Sequence, residues 1–77
     1  MEETIRTLAM LEEGECARVR SLCMGGALSN RLADMGLIEG TLVHCLQKSH
    51  AGGLAAYRIR GAVIALRRQD AGEILVQ

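Results

Sequence analysis

The 77-residue chain has no tryptophan, no phenylalanine and no proline, and Tyr57 is its one aromatic residue. Binders of single-stranded nucleic acid stack bases on aromatic rings, and this chain has little to offer for that. Net charge is missing as well, with nine basic residues balanced by nine acidic ones. Affinity for nucleic acid comes largely from counterions released off phosphates, so a basic excess is its usual footprint. No run approaches the roughly 18 apolar residues that mark a membrane-spanning helix. The three cysteines, Cys16, Cys23 and Cys45, are odd in number and irregular in spacing, which is not a disulfide framework. The start, Met1-Glu2-Glu3, has no basic region followed by an apolar run, so no secretory signal is expected. Together these absences predict a soluble domain in the reducing cytoplasm, without membrane insertion and without a nucleic-acid ligand.

What is present is an aliphatic domain. The hydrophobic fraction of 49% is carried by Leu, Ala, Val, Ile and Met. A chain of this size makes one domain, burying about 60% of the surface its unfolded form exposes. Ordering costs on the order of 1.5 kcal/mol per residue, so the core must be efficient and a deep catalytic cleft is hard to accommodate. Charge is unevenly placed. Glu2, Glu3, Glu12, Glu13 and Glu15 face Arg6 alone in the first 15 residues, whereas Arg58, Arg60, Arg67 and Arg68 cluster without an acid between them.

The pattern predicts a flexible N-terminus over residues 1–6 and one domain over 7–77, with no repeat or linker. Thr7 can cap a short turn through Leu8, Met10 and Leu11, which Gly14 ends. Residues 15–22 read as a strand with Ala17, Val19 and Ser21 on one face. Residues 27–35 switch to helical period, with Leu28, Leu32 and Met35 on one stripe. Gly36 is placed to end that helix as a left-handed residue, with Leu37 folding back on Leu32. Further strands are expected at 41–48, 54–60, 62–67 and 73–77, with a loop at 49–53 and a short turn at 69–72. Gly36, Gly40 and Gly61 are read as turn residues. Short strands joined by glycine turns around one short helix predict a small, mainly β barrel, which would also leave no exposed edges.

The stretch Leu32-Ala-Asp-Met-Gly-Leu-Ile-Glu-Gly-Thr41, with Val43, resembles the L-x-x-M-G-(L/I)-x-x-G-x-x-V signature of the ferrous iron transport protein A (FeoA) family. Gly14, Gly61, Ala65-Leu66-Arg67, Ala71 and Ile74 fit the same family, so the resemblance covers about residues 7–77. Glu39 stands where members usually carry a proline, which removes a fixed φ from that turn. The resemblance implies an SH3-like barrel of five to six strands with one inserted α-helix. It implies an accessory or regulatory protein of ferrous iron uptake. The implied partner is the cytosolic side of the large membrane transporter with a GTPase domain, ferrous iron transport protein B (FeoB). The same barrel occurs as the C-terminal domain of iron- and manganese-responsive repressors, and no DNA-binding helical domain precedes it here, which favours the transport accessory. The alternative is a small-barrel module that binds nucleic acid or a metal ion.

Candidate chemistry is sparse. Cys16, Cys23, Cys45, His44 and His50 are the possible metal ligands, but they lack the paired spacing of structural zinc sites. No metal site is therefore assigned, although the family resemblance makes a transition metal ion an open cofactor. Ser21, Ser29 and Ser49 have no evident His and Asp partners, and no carboxylate pair is set up for acid–base work, so no enzyme is expected. Arg58 and Arg60 are read first as a solvated strand face, and Arg67 as a local partner of Asp70 or Glu73. The expected binding surface lies elsewhere. If Leu37 turns inward, Ile38 is left outside, and Asn30, Arg31 and Asp34 supply a polar rim around an apolar anchor.

Overall fold

The computed structural model describes residues 5–49 and 53–77. Strands β1 (Arg6–Thr7), β2 (Cys16–Leu22), β3 (Leu42–Lys48), β4 (Leu54–Ile59), β5 (Ala62–Arg67) and β6 (Ile74–Val76) form one six-stranded antiparallel array in the order β1-β6-β2-β3-β4-β5. Helix α1 (Gly26–Asp34) is inserted between β2 and β3, α2 (Arg68–Ala71) between β5 and β6, and a 3₁₀ turn (Leu8–Met10) follows β1. Arg6 belongs to β1, paired with Val76, so the ordered domain begins inside the segment expected to be flexible.

Strand β2 closes the structure because it serves two neighbours. Its first half pairs with β3, Ala17 opposite Val43, and its second half with β6, Val19 opposite Val76. A bulge between Val19 and Ser21 interrupts the pairing with β6. An extra residue in one strand of a pair reverses which side chains face the core. Ala17 and Val19 accordingly point inward, whereas Ser21, expected on the same face, is exposed and Leu22 is half-buried against the core. The expectation that closure leaves no edge is corrected. β1 and β5 end the array and no strand joins them among the described residues. Helix α2, which carries the buried Ala71, lies close to both β5 and the 3₁₀ turn.

The core is aliphatic around a single ring. Leu8, Leu11, Val19, Leu37, Val43, Cys45, Tyr57, Ile59 and Ile74 are its most enclosed side chains. Leu32, Ile64 and Leu66 are buried as their periodicity predicts, and Leu8 and Leu11 show that the 3₁₀ turn and the residue after it contribute to the core. Met35 does not join the helical stripe. It is 42% exposed, and Leu28 is only half-buried. Met35 is the residue at which the helix stops, and the chain reverses at once, so Leu37 takes the core position that a continuing helix would have given Met35.

Candidate partner-binding surface

The reversal after α1 is set by backbone chemistry. Gly36 has φ +101, a region closed to most side chains. The Gly36 N–H donates to the Ala33 carbonyl at 3.0 Å and the Leu37 N–H to the Leu32 carbonyl at 2.9 Å. These are the two bonds of a Schellman ending, with its apolar contact supplied by Leu32 and Leu37. The Thr41 hydroxyl then donates to the Gly36 carbonyl at 2.7 Å, and the Thr41 N–H to the Ile38 carbonyl at 3.1 Å, pinning the loop from its far side. Gly40 and Gly61 also have positive φ, +88 and +82. At Gly61 this completes the two-residue hairpin Arg60-Gly61 between paired Ile59 and Ala62, with Arg60 itself at φ +50.

The consequence is a turn that leaves Ile38 facing solvent. Leu37 is fully buried and Ile38 is 45% exposed. Asn30, Arg31 and Asp34 are all exposed on α1. Periodicity predicts Met35 in the core, and strand alternation puts Leu42 with His44 on the face opposite Val43. Met35 and Leu42 are both exposed apolar residues on the same 35–42 segment, so Ile38 is one of three.

Beside this turn lies an open groove of about 430 Å³, lined by Arg18, Leu42, His44, Arg58 and Arg60 with the backbone of the turns. The Arg60 side chain runs against Gly36, where an added Cβ would come within 2.6 Å of its Cδ. Arg58 and Arg60 are both exposed, as a solvated face requires, and both also line this groove. Arg67 forms no ion pair with Asp70 or Glu73 among the described residues. Arg6 does form an ion pair, with Glu15. The Glu12 N–H donates to Glu15 at 3.0 Å and, with Arg6, holds the Glu15 carboxyl below the usual range.

Of the candidate metal ligands, the fold brings one pair together. Cys16 and His44 are cross-strand partners on the outer face, Cys45 is buried inside with its thiol pushed up by burial, and His50 lies outside the described residues. No group of three such ligands is present among the described residues.

Six strands with a shared, bulged β2, a helix inserted before β3 and a rigid exposed turn define a small SH3-like barrel built to present surfaces. The FeoA domain family matches residues 6–77, and the chain belongs to that family. The FeoA protein of Chlorobium tepidum, solved in solution, is 29% identical with a TM-score of 0.89, the match covering 94% of this chain and 69% of that one. The FeoA of Stenotrophomonas maltophilia, crystallised with zinc, is 26% identical with a TM-score of 0.82, covering 94% of this chain and 89% of that one. It is described as an SH3 domain protein with a suggested role as a bacterial ferrous iron transport activating factor. A manganese-dependent transcriptional repressor shares the fold, with a TM-score of 0.81 at 18% identity over 99% of this chain and 42% of that one. Among curated proteins no sequence match is found.

Proposed function

We propose that this chain is a cytoplasmic accessory protein of ferrous iron uptake that binds the cytosolic part of ferrous iron transport protein B through its helix–turn surface. The observation that carries the reading is Ile38, held 45% exposed in a turn whose neighbour Leu37 is fully buried. An apolar residue fixed outward, with a polar rim of Asn30, Arg31 and Asp34, has the anatomy of an interface hot spot. Membership of the FeoA family supports the iron-uptake setting, and the activating-factor role suggested for the Stenotrophomonas relative supports an accessory role without chemistry of its own. No helix among the described residues is long and apolar enough to cross a membrane, which agrees with docking on a transporter from one side.

The test is a calorimetric titration of this chain into the purified cytosolic portion of the transporter. Saturable binding with one-to-one stoichiometry is expected. A flat titration across the micromolar range would contradict the proposal.

A further inference from the structure

The groove beside the helix–turn surface has a chemistry of its own. The ladder sets Arg18 opposite Leu42 and His44 opposite Arg58. Ile59 pairs with Val43, so Arg60, one residue further on, closes the far side of Leu42. Leu42, itself 50% exposed, therefore stands between guanidinium groups carried on β2 and on the β4–β5 turn. Neighbouring strands lie about 4.8 Å apart, so Arg18 and Arg60, on either side of Leu42, are based about 10 Å from each other.

Two of the three arginines are restrained before any ligand arrives. Arg18 Nη1 donates to the Gly40 carbonyl at 3.0 Å, and the Arg60 stem lies against Gly36. None of Arg18, Arg58 and Arg60 is ion-paired among the described residues, although the chain has as many acids as bases. A guanidinium is planar and matches a carboxylate in a two-bond fork.

We infer that this groove is a second binding site, which takes an extended acidic peptide segment with an apolar residue between carboxylates, the apolar side chain on Leu42 and the carboxylates on Arg18, Arg58 and Arg60. An acidic peptide fits better than a nucleic acid because the groove's centre is an aliphatic side chain, and the chain's one aromatic ring, Tyr57, is buried at 1% exposure and offers no stacking surface. This site adjoins the transporter-docking surface but uses none of Asn30, Arg31, Asp34 and Ile38, and its test uses no transporter.

A fluorescein-labelled peptide Glu-Asp-Leu-Glu-Asp serves as the probe, with its Gln-Asn-Leu-Gln-Asn counterpart, a single-stranded oligonucleotide and vesicles containing anionic lipid as comparators. The acidic peptide should bind in fluorescence anisotropy, weaken with added salt, and lose affinity about tenfold or more in R18Q/R58Q. R58Q alone, which leaves the Arg18–Gly40 bond intact, should weaken binding without moving the thermal midpoint, while R67Q/R68Q should bind like the unaltered chain. No binding of the acidic peptide, equal binding of the neutral one, unchanged affinity in R18Q/R58Q, or tighter binding of the oligonucleotide or vesicles would each overturn the inference.

Discussion

Tyr57 is the residue on which the barrel closes. Its ring is buried, and its hydroxyl donates to the Leu8 carbonyl at 3.4 Å, tying β4 to the 3₁₀ turn. Burial first, and the nearby Cys45 thiol second, push the phenol from its usual 10.0 to about 12. A group whose folded value is raised contributes stability that is complete below its unfolded value and fades as pH rises through the folded one. This chain should therefore lose stability between about pH 10 and 12, and Tyr57→Phe should lose less over that window. Urea titrations at stepped pH read the difference, and parallel curves would refute the assignment. At neutral pH Tyr57→Phe should cost about 0.5–1.5 kcal/mol, since the hydroxyl makes one long hydrogen bond. Leu32 is the other decisive residue. It is the one buried side chain of α1, at 3% exposure, and Leu32→Ala should cost about 2–5 kcal/mol in the same assay. A change within experimental noise would show that the helix is not anchored there.

At the scale of the element, the stop after α1 decides which apolar residues are inside. Gly36→Ala should destabilise the domain by about 1–3 kcal/mol, because φ +101 is strained for any Cβ and because that Cβ would meet Arg60. Thermal melting checks this, and an unaltered midpoint would contradict it. The ending was legible in the sequence because Leu32, Gly36 and Leu37 carry the whole motif locally. The strands were legible for the same reason, since alternation over 42–48 and 62–67 is a local signal. The bulge in β2 was not, because Arg20 is extra only relative to β6, more than fifty positions away. Met35 was misplaced because helical period continues in a sequence after the helix has stopped in space. The arginine groove was also hidden, since Arg18, Leu42 and Arg60 come together only once three strands are in register. Ile38 was legible as an exposed residue by elimination, once Leu37 was committed to the core.

At the scale of the molecule, balanced charge and a buried ring point away from nucleic acid. Single- and double-stranded oligonucleotides should bind weakly and without sequence preference at physiological salt, and a sub-micromolar, sequence-dependent affinity would contradict the account. The central claim is that the helix–turn surface docks on the transporter while the core residue beside it holds the fold. Its most direct test is the affinity of Ile38→Asp for the cytosolic portion of ferrous iron transport protein B, measured beside its thermal midpoint and beside Leu37→Asp. Ile38→Asp should weaken binding by about 1–2 kcal/mol and leave the midpoint nearly unchanged, whereas Leu37→Asp should unfold the domain. Binding equal to the unaltered chain, or a fold that melts with Ile38→Asp, would contradict it.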